Sequence, residues 1–383
     1  DDKGIVKILS KDKEVVRLGK SSTDMKYISI DAMERAVSTL KRFKIICDSF
    51  NTEIRAVATS ATREALNKNE FIGEVLKRTG ISVEVVSGFE EARLIYLGIL
   101  QALDVFDKKI LLIDIGGGST EFLVGEKGQV KYANSIKLGA VRLTEKFFSD
   151  GRFRKDNIEN ARLHVRSMIN PIIRHLREEN YECVIGTSGT ITNIASIIHA
   201  NKSGDDVSEF NFNNFKYTNG ELFNTVKTIL SIDNVPAIKK LEGLDSDRAD
   251  IISAGAIILE QIFKEINIKE ITLSSYALRE GILFDKIDKG NNTLLSADMK
   301  SVRYRSVTNL AKHCNFDEVH CRKVLQFADA VFDSLKVKFG LNEHDKDILE
   351  AATYLHDIGH SISHSQHHRH SYYLIKNSEL LGF

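Results

Sequence analysis

The sequence has few cysteines and no excess of charge of either sign. Its four cysteines show no CxxC spacing and are too sparse for a disulfide scaffold, which favours a reducing compartment. Lysine plus arginine and aspartate plus glutamate number 53 each, so bulk charge does not indicate a nucleic-acid binder. Selectivity for a charged ligand would therefore have to come from a local site.

Long hydrophobic runs and low-complexity segments are also missing. No apolar run approaches the ~20 residues that cross a bilayer, and no signal peptide is visible. The 383 residues are enough for two or three domains with cores of their own. We therefore expect a cytoplasmic protein without a membrane or nucleic-acid partner.

The clearest chemical pattern is ILLIDIGGGSTEFLVG at Ile110–Gly125. It predicts a buried strand, a glycine-rich loop and a second strand. The N–H groups of such a loop can converge on an anion, and Asp114 and Glu121 would supply oxygen ligands for Mg²⁺. No Gly-Lys-Ser/Thr follows, so it is not a Walker A loop. A tight hairpin with acidic ends is the competing interpretation.

A second glycine-rich turn lies in ECVIGTSGTITNIA, Glu182–Ala195. Here the turn leads into a helix, for which Thr190 is a candidate N-cap. A helix N-terminus offers unpaired N–H groups and a positive dipole end to an anion. An ordinary strand-to-helix turn explains the same pattern.

Two further segments run from a strand into a helix. In Val83–Leu97 the helix begins with Glu90 and Glu91, and Glu91 at the mouth of the turn could accept a proton from water. Acids in a first helical turn are also ordinary dipole partners.

The other segment is Ile54–Leu66, which predicts a helix with Ser60 or Thr62 near its cap. Arg63 in the first turn would oppose the helix dipole, which indicates a ligand outside the helix such as phosphate. A surface ion pair is the alternative.

Six ordered motifs together resemble the exopolyphosphatase/guanosine pentaphosphatase (Ppx/GppA) family of the actin-like phosphotransferase superfamily. They are ATSATREA (Ala58–Ala65), SGFEEARLIYLG (Ser87–Gly98), LLIDIGGGSTEF (Leu111–Phe122), LGAVRLTE (Leu138–Glu145), GTSGT (Gly186–Thr190) and ALREGIL (Ala277–Leu283). The resemblance implies an α/β fold with two ribonuclease-H-like lobes around a cleft, followed by an all-helical domain.

The resemblance also implies an activity, namely hydrolysis of the terminal phosphoanhydride of polyphosphate or guanosine pentaphosphate. The family pattern places the site as follows: Glu91 is the catalytic base; Asp114 and Glu121 are the catalytic metal- and water-ordering carboxylates; Arg63, Gly116, Gly117, Gly118, Ser119, Ser188, Gly189 and Thr190 bind phosphate. Mg²⁺ or Mn²⁺ would be the cofactor. We further expect a homodimer that acts in the stringent response.

One part of the family pattern is missing. Relatives open with a strand and an Asp-x-Gly-Ser-Asn-Ser phosphate loop, whereas residues 1–20 resemble the hairpin and Arg-Leu-Gly turn that normally follow it. We therefore expect the sequence to start downstream of the native N-terminus. A polypeptide truly beginning at Asp1 would lack half of the phosphate cradle.

The pattern predicts three domains, at residues 1–98, 99–290 and 291–383. Within them the sequence predicts helices at Ala32–Phe50 and Asn157–Glu178 and a strand at Glu270–Leu273. The polar run Asp285–Lys300 is typical of a linker.

The last domain is rich in histidine. His356 and Asp357, with His320 from an earlier helix, resemble an incomplete HD-type phosphohydrolase domain, and imidazole and carboxylate are candidate ligands for a transition metal. The i, i+4, i+8 spacing of His356, His360 and His364 is interpreted as accidental, because the helix is predicted to end near Ile358. We expect a structural or regulatory module.

Three other functions fit parts of the pattern. A sugar or acetate kinase of the same superfamily would share the glycine loop. A non-catalytic sensor binding guanosine tetraphosphate or polyphosphate would keep the loops, although Glu91 argues against it. Finally, the HD-type module could be the only active part and act on nucleotides.

Overall fold

The computed structural model describes residues 10, 12–19, 26–203, 210–291, 304, 307–308, 310–378 and 380. The chain forms two compact units, residues 1–284 and residues 285–383. Each unit is described by itself below.

The first unit alternates strands and helices. The strands are β1 Ala56–Ala58, β2 Val83–Val85, β3 Ile110–Ile115, β4 Thr120–Glu126, β5 Gln129–Ile136, β6 Cys183–Thr187, β7 Lys216–Thr218 and β8 Glu270–Leu273. The helices are α1 Ile30–Ser49, α2 Ser60–Glu64, α3 Lys68–Thr79, α4 Gly88–Ala102, α5 Ala140–Phe147, α6 Lys155–Glu178, α7 Gly189–Ser203, α8 Asn219–Leu230, α9 Val235–Ile238, α10 Ile252–Ile266 and α11 Leu278–Asn291, the last of which runs past residue 284.

Six strands form the larger sheet, in the order β5-β4-β3-β6-β8-β7. The neighbours β3, β6 and β8 are parallel, whereas the pairs β3–β4, β4–β5 and β7–β8 are antiparallel. Every residue of β3 is buried, which explains its continuous apolar sequence. Because parallel strands end at the same edge, the turns after β3 and β6 lie side by side.

The smaller sheet pairs β1 and β2 in parallel. Val37 of α1 and Phe71 and Val75 of α3 belong to the core around it. The helix α1 starts at the N-cap Ser29, whose side chain accepts from the N–H of Ala32.

The helix α4 is almost entirely buried and packs tightly on α11. A Cβ on Gly98 would lie 2.4 Å from the carbonyl oxygen of Ala277, and one on Gly281 would lie even closer to that of Leu94. The two helices can therefore approach only because both positions are glycine. The domain boundary predicted at residue 98 lies inside α4, and it stays a prediction.

Two predicted segments differ from the structure or lie outside it. The linker predicted at Asp285–Lys300 is wrong for residues 285–291, which continue α11, and residues 292–300 lie outside the described residues. Of the hairpin expected within residues 1–20, residues 1–9, 11 and 20 lie outside the described residues as well. The strand Glu270–Leu273 and the helix over Asn157–Glu178 are confirmed.

The described part of the second unit is helical. Its bounded helices are Glu318–Phe339, Glu343–Leu355 and His367–Asn377, with a 3₁₀ turn at Ile358–Ser361. Cys321, Tyr354 and Leu355 lie in its core.

The histidine spacing singled out above has no helix to support it. The helix ends at Leu355, three residues before the predicted end, so His356, His360 and His364 do not share one helix. The i, i+4, i+8 spacing therefore does not place them on one helical face, and its interpretation as accidental stays a prediction.

All four cysteines are free thiols, as expected. None of the described helices combines the length and hydropathy that crossing a bilayer requires.

Candidate active site

The loop between β3 and β4 contains the three glycines and is held from one side. The N–H groups of Ala140 and Val141, at the start of α5, donate to the carbonyl oxygens of Gly116 and Gly117 at 2.9 Å each. Arg142 Nε donates to the Gly118 carbonyl at 2.9 Å. The loop carbonyls therefore face α5.

The N–H groups of the same loop are left open. Among the described residues, the N–H groups of Gly117, Gly118 and Ser119 have no hydrogen-bond acceptor. Three successive N–H groups without an acceptor beside a strand end are donors that an anion could use.

Two carboxylates flank this loop at its two strand ends. Asp114 at the end of β3 pairs in register with Glu121 at the start of β4. The Ser135 hydroxyl donates to Glu121 Oε1 at 2.8 Å, which fixes this carboxylate against β5.

A third carboxylate enters from α4. The helix starts at Gly88 after the N-cap Ser87, whose side chain accepts from the N–H of Glu90. A Cβ on Gly88 would lie 2.3 Å from the Cβ of Ser135, so this end of α4 lies directly against β5. Glu91, in the first turn, is thereby close enough to Asp114 and Glu121 for its charge to act on both carboxylates.

Arg63 holds Glu91 in place. Its Nη1 donates to Glu91 Oε2 at 3.1 Å and to the Val86 carbonyl at 2.9 Å. The prediction that Arg63 lies in a first helical turn and opposes the helix dipole is wrong, because α2 has only five residues and Arg63 lies in its last turn. In the structure this guanidinium contacts a carboxylate, and its contact with phosphate stays a prediction.

All three carboxylates are buried, and their pKa values rise. Glu91, Asp114 and Glu121 expose 7%, 9% and 1% of their surface. Burial raises the pKa of Asp114 to about 7, with the charge of Glu91 adding to the rise and Arg248 opposing it. Burial, followed by the charges of Glu91 and Asp114, raises the pKa of Glu121 well above its ordinary value.

The pKa of Glu91 is set by opposing effects. Burial raises it, whereas the charge and hydrogen bond of Arg63 and a hydrogen bond from Thr59 lower it. The three buried carboxylates thus repel one another, and a bound cation would relieve that repulsion.

The turn after β6 lies next to this cluster, because Thr187 pairs with Asp114 in parallel register. Ser188 adopts a φ of 94°, which is unusual for a residue with a Cβ. Its hydroxyl oxygen is buried and has no hydrogen-bond partner among the described residues. Such an orphaned donor beside a helix start is consistent with an anion site.

The other residues of this turn are placed differently. The helix begins at Gly189, so Thr190 is its second residue and the predicted N-cap is wrong. The Thr190 side chain packs against Gly255 of α10.

Sequence reasoning missed Arg248. A Cβ on Gly189 would lie 2.0 Å from Arg248 Cζ, so the guanidinium lies directly over this turn. Burial lowers the pKa of Arg248, while Asp245 and Asp114 oppose that shift. The residue stands in a polar segment without local periodicity, and no signal in the sequence marked it.

Arg142 was also missed as a site residue, although it stands in the LGAVRLTE motif. Besides the Gly118 carbonyl, it contacts Glu64 Oε2 at 3.0 Å, and both side chains are largely buried. The Ser60 hydroxyl donates to Glu64 Oε1 at 2.9 Å. This chain of contacts connects α2 to the third glycine.

The structure therefore gathers most of the predicted site residues of the first unit. Arg63 and Glu91 contact each other, and Asp114 and Glu121 flank Gly116, Gly117, Gly118 and Ser119. Ser188 and Gly189 follow the adjacent strand, and Thr190 is turned into the helix layer. Their catalytic and binding roles stay predictions. The three candidate ligands of the second unit, His320, His356 and Asp357, also lie together.

A divalent cation fits the carboxylates of the first unit. Among the described residues, groups of three or more close-set ligands occur only in the second unit, so the glycine loop does not carry a complete metal cage. Mg²⁺ is commonly held by one or two carboxylates together with substrate phosphates. Asp114 and Glu121 match that requirement.

Two protein-family models match this chain. A family model described as the Ppx/GppA phosphatase family matches residues 1–290, and one described as Ppx/GppA phosphatase, domain III, matches residues 302–383.

Solved structures of similar fold carry related names. An exopolyphosphatase from Cytophaga hutchinsonii is 29% identical, with a TM-score of 0.67 over 73% of this chain and 90% of that one. An Aquifex aeolicus member of the Ppx/GppA protein family is 26% identical, with a TM-score of 0.59 over 73% and 89%. An exopolyphosphatase-like protein is 25% identical, with a TM-score of 0.65 over 71% and 89%.

These matches confirm the predicted resemblance and the actin-like α/β fold with its helical C-terminal region, whereas the HD-type assignment of that region stays a prediction. With both family models matched along the chain, the protein belongs to the Ppx/GppA phosphatase family.

Proposed function

We propose that this protein hydrolyses the terminal phosphoanhydride of inorganic polyphosphate or guanosine pentaphosphate and releases orthophosphate. The observation that carries the proposal is Glu91, which is buried, held by Arg63 and set among the carboxylates that flank the glycine loop. This arrangement supplies an anion-binding surface and a proton acceptor at the same place.

The glycine loop would bind the phosphate to be removed. The open N–H groups of Gly117, Gly118 and Ser119 can donate to phosphoryl oxygens without any side-chain movement. Arg142 keeps the loop carbonyls turned away, so that the surface seen by the anion is made of donors. Ser188 and Arg248, across the adjacent strand end, would contact the next phosphate group.

Glu91 would accept the proton of the attacking water. Burial raises its pKa, which makes it a stronger base, and the charge and hydrogen bond of Arg63 oppose that rise. Arg63 therefore serves as a positioning residue for the base.

Asp114 and Glu121 would hold Mg²⁺ or Mn²⁺, since their crowded charges call for a cation. When bound, the cation would neutralise the charge on the phosphoryl oxygens. The cytoplasmic location and the homodimer expected from the sequence are also part of this proposal.

Replacing Glu91 by glutamine tests the role of the base. Glu91→Gln keeps the shape and a hydrogen-bond partner for Arg63 but cannot accept the proton. We expect turnover to fall roughly 10²–10⁴-fold, while the affinity for polyphosphate changes little. Orthophosphate release is measured from polyphosphate and from guanosine pentaphosphate in parallel, which also shows the preferred substrate.

Glu90→Gln is the matched control. Glu90 stands on the same helical turn, but its carboxylate is engaged by Arg93 at 2.7 Å. We expect this variant to keep nearly normal turnover. Equal losses in both variants, or normal turnover in Glu91→Gln, would refute Glu91 as the base. ATP-dependent phosphorylation of an alcohol or acid acceptor would instead indicate a kinase.

A further inference from the structure

The Arg-Leu-Gly turn near the start of the sequence has no place in the proposed reaction, yet its arginine makes a specific contact. Arg17 lies 233 positions before Asp250 in the sequence and donates to both oxygens of that carboxylate. The same guanidinium donates from Nη2 to the Asp247 carbonyl oxygen at 2.7 Å. One side chain thus contacts both ends of residues 247–250, a short segment that contains Arg248.

The backbone of Arg17 is strained. It adopts a φ of 53°, in the left-handed region that residues with a Cβ rarely adopt. Glycine would adopt this conformation at a lower cost, so the turn alone does not explain an arginine here. Strain of this kind persists where the surrounding contacts fix it, and it gathers at functional positions. The hydrogen bonds of the Arg17 side chain are contacts that can hold it.

The Arg17–Asp250 pair lies in the wall of a cavity rather than in an apolar core. The cavity has a volume of about 460 Å³, and most of the side chains that line it are polar or charged. Lys13 adds a pair with Asp245 at 3.4 Å, but these side chains are 59% and 38% exposed. Exposed pairs contribute little. On this side, the position of residues 247–250 therefore depends chiefly on Arg17.

A second set of contacts ties the same part of the chain to the turn after β6. The N–H of Asp245 donates to Asn193 Oδ1 at 2.8 Å, and Asn193 Nδ2 donates to the Gly189 carbonyl oxygen at 2.8 Å. The next fixed point is Ala249, which is fully buried in the core. Arg248 thus stands on a segment that is anchored at Gly189 through Asn193 and at the N-terminal turn through its neighbours.

Arg17 and Arg248 carry like charges and lie close enough to influence each other. Burial lowers the pKa of Arg248, Asp245 raises it, and the charge of Arg17 lowers it further. A guanidinium only donates, so the two side chains cannot hydrogen-bond to each other. Arg17 therefore acts on Arg248 through the backbone on either side of it, which leaves the Arg248 guanidinium over Gly189 available to an anion.

We propose that Arg17 is a positioning residue, which holds Arg248 over the turn after β6 where Arg248 contacts the phosphate group next to the one removed. This inference rests on the proposed function, since it deepens the role of Arg248 at that site. A guanidinium already fixed in place makes charge-assisted hydrogen bonds without paying the entropy of ordering a mobile side chain. Arg17 thus contributes to the affinity for polyphosphate and not to the chemical step.

Steady-state kinetics of Arg17→Gln with polyphosphate in saturating Mg²⁺ tests this role. Because Arg248 would contact a phosphate group that does not react, loss of its position should weaken the binding of substrate and transition state equally. We expect KM to rise roughly tenfold, about the worth of one charge-assisted hydrogen bond, while turnover changes less than about twofold. A variant that merely loosens the fold would not separate KM from turnover in this way.

A double-mutant cycle shows whether Arg17 acts through Arg248. Arg248→Gln alone should raise KM roughly 10–100-fold, because it removes the hydrogen bond itself. In that background, adding Arg17→Gln should change KM by less than about twofold, since no guanidinium is left to position. A further tenfold rise in the double variant would mean that Arg17 contacts the substrate directly, and it would overturn the positioning role.

Arg42→Gln is the matched control. Arg42 also pairs with the N-terminal segment, at 3.0 Å from Glu14 and 3.2 Å from Asp12, but neither partner belongs to the segment that carries Arg248. Because its guanidinium is half exposed, these pairs contribute little. KM and turnover of this variant should both stay close to those of the unaltered chain.

Asp250→Asn removes the other half of the pair and decides the question if Arg17→Gln fails to fold by circular dichroism. It should give a similar rise in KM. Unchanged KM in both variants, in chains that release orthophosphate, would overturn the inference and leave the proposed function intact. A fall in turnover with KM unchanged would also overturn it, since the effect would then lie on the chemical step. An unaltered chain that releases no orthophosphate would refute the proposed function and this inference with it.

Discussion

At the scale of single residues, the site in the first unit contains three carboxylates whose negative charge is unfavourable in the folded state. Glu91, Asp114 and Glu121 lose water and gain like-charged neighbours, and Arg63 contacts the first of them. The folded chain without a cation therefore stores electrostatic strain at the place where substrate and metal would bind. That strain makes a measurable contribution to stability.

The raised pKa of Asp114 predicts how the free energy of unfolding depends on pH. Its folded pKa of about 7 lies above its ordinary value of 3.8, so the folded state binds the proton more tightly. Proton binding by Asp114 therefore stabilises the folded state. This stabilisation is fully present below the unfolded pKa and is lost as pH rises towards 7. Without divalent cations, the free energy of unfolding should fall between pH 5 and pH 8, and Asp114→Asn should remove about 2–3 kcal/mol of that fall.

Urea unfolding at the two pH values measures this difference. Adding Mg²⁺ at pH 8 should stabilise the unaltered chain and have less effect on Asp114→Asn, because the variant has lost the charge that favours the cation. If the two proteins show the same pH dependence, Asp114 is ionised in the folded state at pH 5 and the proposed strain is absent.

The site residues differ in how far the sequence alone could place them. Gly116–Ser119 and Asp114 lie in one short motif whose chemistry is local, so residue types and spacing were sufficient. Arg248 reaches Gly189 from more than fifty positions away, and its neighbours in the sequence carry no periodic pattern. Only the folded chain brings such a pair together.

At the scale of helices and strands, burial pattern explains what could be predicted. The apolar run of β3 and the periodic pattern of α6 predicted these elements because both bury a continuous surface. The N-cap at Thr190 was predicted wrongly, because Ser188 takes a strained backbone conformation that lets the helix start at Gly189. The residue preferences at helix N-caps, on which the prediction rested, do not account for such backbone strain.

The contact of α4 with α11 gives the prediction for this scale. Gly281→Ala should disrupt it, because the new Cβ would overlap the backbone around Leu94, which cannot move without shifting α4. Overpacking of this kind costs about 1–3 kcal/mol or more. Since α4 also carries Glu91, we expect both a lower thermal midpoint and lower turnover.

Gly73→Ala is the matched control for that prediction. Gly73 lies inside α3, and nothing lies within 4 Å of a Cβ added there. Alanine favours the helix over glycine by about 1 kcal/mol, so this variant should be equal to or more stable than the unaltered chain. Calorimetry of the two variants separates the effect of packing from that of helix propensity, and a stable Gly281→Ala would show that the helices can move apart.

At the scale of the whole molecule, the chain carries two kinds of ligand chemistry in two compact units. The first unit offers carboxylates and open N–H groups, whereas the second offers four imidazoles around one carboxylate. The sequence indicated three of the five side chains of this cluster, namely His320, His356 and Asp357. His360 and His367 could not be predicted to join it, because their approach to Asp357 depends on the 3₁₀ turn that follows Leu355.

The site in the first unit should depend on a hard divalent cation. After chelation, millimolar Mg²⁺ should restore orthophosphate release, because Asp114 and Glu121 supply hard oxygen ligands. Asp114→Asn should abolish this response, whereas Asp357→Asn in the second unit should keep phosphate release in Mg²⁺. Loss of phosphate release in Asp357→Asn, with Mg²⁺ saturating and the fold intact, would contradict the assignment of this metal to the first unit.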